Sequence, residues 1–175
     1  MRLARSIMAF AILSGGPVFA QAADSTYGRG PHAPEVAIIR QVPSFAGMWF
    51  DKEGNFHGSL ANPNDSSKLR TILETYMSDR RRSFLIKPGR RIIIDEVRYS
   101  YAQLYDWQRK IEKLAVGVNG FQSIGPVEMT NQIHVGVTRP EAIAGVYRIA
   151  ESLKIPAGVV KAELEGQIVP DRGKP

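Results

Sequence analysis

His57 and His134 each sit just inside a short apolar run that follows a turn. Two histidines brought together across a sheet could hold a metal, with Asp51 or Glu128 supplying oxygen. Zinc takes four protein ligands, or three and a water, at close characteristic spacings. No such spacing surrounds either histidine. The reading is two strand histidines on solvated faces, echoed by duplication, and no metal site is expected. Asp95-Glu96 could form an acid–base pair if one carboxyl had a raised pKa in a pocket. Neighbouring strand residues point to opposite faces, so the expectation is a surface pair at a β-bulge.

The chain has no cysteine, which excludes disulfides, thiolate zinc, iron–sulfur clusters and a cysteine nucleophile. There is no Gly-x-Ser-x-Gly run. No catalytic residue and no cofactor is expected. Tyr27-Gly28-Arg29-Gly30 lacks the third glycine and the strand-to-helix setting of a phosphate loop. Trp49, Trp107 and the nearby tyrosines fall at positions expected to pack inward.

Partner binding has better candidates. Arg80, Arg81, Arg82, Lys87, Arg90 and Arg91 crowd a loop after a helical stretch, and a cluster of this size suits an anionic polymer, a lipid head group or an acidic protein. Nucleic acid is not expected, because stacking on bases needs interleaved aromatics and only Phe84 is near. The tail Ile168-Val169-Pro170 to Pro175 could lie in a cleft as an added strand, with main-chain hydrogen bonds giving affinity.

The elements that must position these residues follow from periodicity. Met1 to Arg5 is basic, Ile7 to Leu13 is apolar, and small residues end at Ala20, the three-part pattern of an export signal. Residues 1–20 are expected to be removed, with Ala22 and Ala23 as alternative cleavage points. The apolar run is too short to span a bilayer, and no later stretch could. Loss of Arg2 and Arg5 takes the basic count from 23 to 21 and the net charge from +6 to +4. The protein is therefore expected in the periplasm or outside the cell, with at most a weak attraction to anionic envelope surfaces. Residues 21–44, broken by Pro31, Pro34 and Pro43, read as a flexible leader in which only Glu35 to Val42 could form a strand or short helix.

From Phe45 an α+β pattern begins: a hairpin (Phe45–Phe50, Phe56–Leu60), a helix with Leu69, Ile72, Leu73, Tyr76 and Met77 on one face, and a strand at Ile92 to Tyr99. Ser100 and Gln103 form a capping box opening a linking helix over 101–116, striped by Leu104, Trp107, Ile111 and Leu114. A second hairpin (Phe121 to Val137), a helix capped by Thr138 and Glu141 and carrying Ile143, Val146, Tyr147, Ala150 and Leu153, and a strand at Val159–Leu164 repeat the order. The expected fold is two ββαβ units, halves 45–100 and 121–166 of one domain at 45–169. Antiparallel sheets would have helices on one face, and 170–175 would form a tail.

At these residues the chain resembles the pro-regions of secreted bacterial chymotrypsin-like serine proteases, the alpha-lytic protease and streptogrisin group. The similarity lies in Phe45-Ala46-Gly47-Met48-Trp49-Phe50-Asp51, in Val97-Arg98-Tyr99-Ser100-Tyr101-Ala102-Gln103-Leu104, and in Thr130-Asn131, His134-Val135-Gly136-Val137 and Val159 to Glu163. The resemblance implies paired α+β units that assist folding of a protease and inhibit it through the C-terminal tail. No protease domain is present in these 175 residues. The expectation is a non-catalytic protein- or peptide-binding domain, its partner a secreted protease on the sharpest reading. The alternative is a binder of anionic envelope polymer or lipid surface through the basic loop.

Overall fold

A computed structural model describes residues 33–78 and 89–166. The export signal at 1–20, Arg80, Arg81, Arg82, Ile168, Val169 and Pro170 lie outside the described residues. The chain divides into a unit ending at Val36 and a second from Ala37 to Pro175. Of the first, only the opening turn of one helix is described, and the second carries the architecture below.

The elements run α1 (Ala33–Gln41), β1 (Phe45–Phe50), β2 (Phe56–Leu60), α2 (Ser66–Ser78), β3 (Ile92–Glu96), α3 (Tyr101–Ala115), β4 (Phe121–Val127), β5 (Gln132–Val137), α4 (Pro140–Ser152) and β6 (Val160–Leu164). They form an α+β fold with two three-stranded sheets, ordered β1-β2-β3 and β4-β5-β6. The sheets are mixed, which corrects the antiparallel expectation. Each hairpin is antiparallel, but β3 runs parallel to β2 and β6 parallel to β5. The physical reason is the helix between them, which carries the chain back to the end where it started.

The two halves pair their strands in the same pattern. Phe45 pairs Leu60 with a bulge before Gly47; Phe121 pairs Val137 with a bulge before Ser123. The expected bulge at Asp95-Glu96 is absent: β3 keeps regular register, so these side chains take opposite faces, and the strand ends at Glu96, short of the expected Tyr99. Gly54 (φ 85°) and Asn131 (φ 52°) occupy the left-handed position of the two hairpin turns, where glycine and asparagine are the residues least penalised.

Part of the expected leader is folded. Ile38 and Val42 are buried with Phe45, Phe56, Leu60, Leu69, Leu73, Met77 and Tyr101. The Val42 carbonyl accepts from Phe45 N just as the Val118 carbonyl accepts from Phe121 N. The repeat is thus αββαβ, with α1 and α3 in equivalent places, and α3 is more than a linker. Its first turn gives Tyr101 to the first core, while Leu104, Ile111 and Ala115 enter the second with Ile133, Val135, Val137, Val146 and Ala150.

Helix ends follow local chemistry. Ser100 and Gln103 form the expected box. At α4 the residue before the helix is Arg139 and no side chain caps it. Thr138 still belongs to the hairpin, its amide and hydroxyl both donating to the Gly120 carbonyl. Asp65 accepts from the Ser44 hydroxyl, and Asn62 caps the short 3-10 turn Pro63–Asp65 that leads into α2. Two helical-face expectations fail: Leu114 (47% exposed) and Tyr147 (44% exposed) lie outside the core. Among the described residues no helix is long and apolar enough to cross a membrane.

Candidate functional site

Alternation along the strands sorts each sheet into two faces. In the first sheet Phe56 and Ile94 pack against the helices, as does Gly58, whose missing side chain admits Leu73. The opposite face therefore carries Trp49, His57, Ser59, Ile93 and Asp95. Trp49 pairs with His57 across β1 and β2, and their rings stack with centroids 5.1 Å apart and 12° between planes. This corrects the expectation that Trp49 is core.

His57 is held from both ends. Nδ1 lies 2.6 Å from Asp95 Oδ2, and Nε2 lies 3.2 Å from Asp51 Oδ2. Asp51 stands where β1 ends. Its carboxylate also accepts from Asn55 N (2.7 Å) and Asn55 Nδ2 (2.8 Å). The turn thus fixes Asp51, and Asp51 fixes the ring. Burial on its own favours a neutral imidazole. Hydrogen bonds to Asp95 and Asp51, with their charges, outweigh it and hold the His57 pKa above its ordinary 6.5. Burial would likewise raise Asp51. Donation from the Asn55 side chain, from His57 and from the amides of Asn55 and Gly54 brings it down to about 2.

The arrangement is an imidazole ring held between two carboxylates and under an indole ring, and the raised pKa favours its charged form. Only the doubly protonated ring can donate to both carboxylates at once. In its doubly protonated form neither nitrogen keeps a lone pair for a metal or a substrate proton. Among the described residues no group of three histidines and acids is arranged to hold a metal. The spacing of residues suggested Asp51 near His57, but Asp95 was missed as its partner. The available signal was strand parity, which puts His57 and Asp95 on one face once β3 is laid parallel beside β2.

His57 and His134 belong to different sheets and do not meet. His134 takes the same ladder position in β5, opposite Gly125 instead of a tryptophan. Lys161 and Glu163 occupy the positions of Ile93 and Asp95. They form an ion pair with each other, and that hydrogen bond, despite some burial, lowers the Glu163 pKa with help from the charges of Lys161 and His134. Glu128, considered beside the histidines, accepts from Met48 N at 2.5 Å and joins the second hairpin to β1. Asn131 ties the halves again: its side chain accepts from Tyr99 N (3.0 Å) and donates to Tyr99 O (2.7 Å).

The sheet edges differ in how they are closed. Glu128 occupies an outward amide of β1. In β4 the outward position Pro126 has no amide to offer. Along β3, Phe56 N bonds Arg91 O and Val97 N bonds Leu60 O. By the period of two, Ile92, Ile94 and Glu96 turn their backbone groups outward. Arg70 donates to the Ile92 carbonyl at 2.9 Å. In β6 the outward residues are Val160, Ala162 and Leu164, and Tyr147 Oη lies 3.3 Å from Ala162 N. Arg90 and Arg91 of the basic loop stand exposed at the start of β3, and neither forms an ion pair among the described residues. No protein-family model and no curated protein matches the chain.

Proposed function

We propose that this is an exported, non-catalytic domain that binds an extended segment of another protein by strand addition along β3. The observation that carries the reading is the outward edge of β3, with the exposed pair Arg90 and Arg91 leading directly into it. An added strand gains main-chain hydrogen bonds from Ile94 and Glu96, and basic side chains at one end select for acidic residues in the incoming segment. The non-catalytic part is supported by His57, whose two nitrogens are both engaged. Export rests on the residue 1–20 pattern. A folding assistant or inhibitor of a secreted protease is the narrowest form of the proposal. Exposure of Arg90 and Arg91 also favours a second reading, an anionic envelope polymer or lipid surface gathered by the basic loop.

The test is an NMR titration of the chain from Gln21 with extended acidic peptides. Shifts should map to β3, and Arg90→Ala with Arg91→Ala should weaken binding at least tenfold. Glu96→Pro, which deletes an outward amide at an exposed position, should do the same while circular dichroism stays unchanged. Binding indifferent to both variants sinks the strand-addition reading. Binding only to anionic polymer, lost as salt rises, transfers the function to the basic loop.

A further inference from the structure

From the β6 edge we infer that a second copy of this chain is its occupant, in an antiparallel pairing across a two-fold axis at Ala162. The inference goes beyond partner binding at β3, because a dimer through β6 leaves β3 free.

Among the described residues four strands border the two sheets, and three are unsuited to self-pairing. Glu128 holds an amide of β1, and Pro126 interrupts the donors of β4. On β3, Arg70 holds the Ile92 carbonyl, and a dyad at Ile94 would oppose Ile93 with Asp95 and Ile92 with Glu96, without complementarity. The β6 sequence Val160-Lys161-Ala162-Glu163-Leu164 reads differently. Laid antiparallel on itself with Ala162 opposite Ala162, it faces Lys161 with Glu163 twice and Val160 with Leu164 twice.

The backbone phase agrees. Ile133 N bonds Val159 O and Glu165 N bonds Val137 O, so Val159, Lys161, Glu163 and Glu165 turn toward β5. Val160, Ala162 and Leu164 turn outward, and these are the residues that would meet. Each facing pair of them exchanges two main-chain hydrogen bonds. Lys161 and Glu163 then fall at the intervening positions, where opposed side chains approach most closely. Both are 49% exposed and now pair within one chain, so they can re-pair across the axis without a new burial of charge. Leu164, 56% exposed, would be covered near Val160 of the other copy. A two-fold contact uses one patch twice, as this strand permits. The hydroxyl of Tyr147 is the competitor at the axis, held by one long hydrogen bond from Ala162 N.

The experiment is sedimentation equilibrium of the processed chain from Gln21, from micromolar to millimolar concentration. The mass should rise from monomer to dimer. Lys161→Glu alone and Glu163→Lys alone should each weaken the dimer at least tenfold, because like charges then face one another. An equimolar mixture of the two variants should recover it as a heterodimer, since opposite charges meet at both positions. Tyr147→Phe should tighten the dimer. Both charge sites are exposed, and unchanged circular dichroism checks the fold. A chain monomeric throughout, a dimer indifferent to both charge variants, or no recovery on mixing overturns the inference. So does a dimer that appears only after removal of residues 167–175, which would assign the edge to the chain's own tail. Peptide binding at β3 is measured separately, so failure here and failure there are distinct.

Discussion

The two halves place a histidine in one and the same ladder slot and give it different company. In the first, the slot opposite is Trp49, the strand end is Asp51 and the parallel neighbour strand supplies Asp95. In the second, the corresponding residues are Gly125, Val127 and Glu163, with Lys161 beside His134. A carboxylate that has a lysine next to it satisfies the lysine. Without that lysine, Asp95 turns to His57. The backbone supplies the slot, and the neighbours decide whether the ring becomes an ion-paired clamp. The other faces differ too: Gly58 lets Leu73 of α2 come close, where Val135 fills the matching place in the second core.

The sharpest way to break the comparison is to loosen one core and ask whether the other follows. Leu73→Ala should cost about 2–5 kcal/mol, the usual range for a fully buried leucine. Each half holds one of the two tryptophans, Trp49 and Trp107. Variants keeping one indole each therefore report on one half each. Because Tyr101 and Leu104 of α3 sit in different cores, and Asn131 bridges them, both probes should unfold at the same denaturant concentration even in Leu73→Ala. Two separated midpoints would mean that the halves are independent domains.

Periodicity made most of this order legible. The hairpins, the α2 and α4 stripes and the Ser100 box are visible because core-facing residues recur at 2 or 3.6 positions. Helix α1 was half legible: Glu35 to Val42 allows a short helix or a strand, but its length and Pro34 and Pro43 favour a leader, although Ile38 in the helix and Val42 just after it are buried. The parallel course of β3 was implicit in the strand–helix–strand order and was not drawn from it. The clamp was half visible: Asp51 is near His57 in sequence, whereas Asp95 joins it only through the parallel ladder. Tyr147 looked like a core residue by spacing. Its hydroxyl instead lies by the β6 edge, which no period encodes. The basic-loop residues Arg80, Arg81 and Arg82 and the tail residues Ile168, Val169 and Pro170 fall outside the described chain, leaving Arg90 and Arg91 as the described part of that surface.

Capping separates the halves next. Ser100→Ala should destabilise by about 1 kcal/mol, since it strips a hydroxyl acceptor from the start of α3. At α4 the equivalent service is missing, so Arg139→Asp should gain about the same amount, aided by a negative charge at a helix N-terminus. Thermal unfolding of the two variants reads both effects, and a loss of stability in Arg139→Asp would contradict the assignment of the cap.

The clamp predicts a pH profile. His57 binds its proton more tightly folded than unfolded, so its contribution is whole below its ordinary pKa of 6.5 and fades as pH rises through the raised folded value. Asp51 works in the opposite sense: its contribution is whole above its ordinary 3.8 and fades as pH falls from there toward about 2. The joint contribution of these two groups should be flat between these limits. His57→Gln should cost about 1 kcal/mol at pH 5, the scale of a charged hydrogen bond that is partly screened, and less at pH 9. His134→Gln should keep the upper limb, because the partners of His57 are untouched. An upper limb that survives His57→Gln would remove the clamp as its source.

The smallest effect tests whether the slot itself or its occupant makes the difference. Gly125 takes the position of Trp49, has no left-handed backbone angle, and a Cβ there meets nothing within 4 Å. Gly125→Trp should therefore stay within about 0.5 kcal/mol of the parent, because a strand glycine packs nothing and an indole over His134 adds surface that fits a pleated face. Stacking alone should not transfer the pH behaviour of the first half, since Val127 brings no carboxylate. Gly125→Trp combined with Val127→Asp and Lys161→Ile should, by supplying the ring and the missing acid and by releasing Glu163 from its lysine. If the single Gly125→Trp variant acquires the upper limb, the indole and not the carboxylates governs the first half. A loss well above 1 kcal/mol would mean the second open face is closed to an indole, and the two slots would not be equivalent after all.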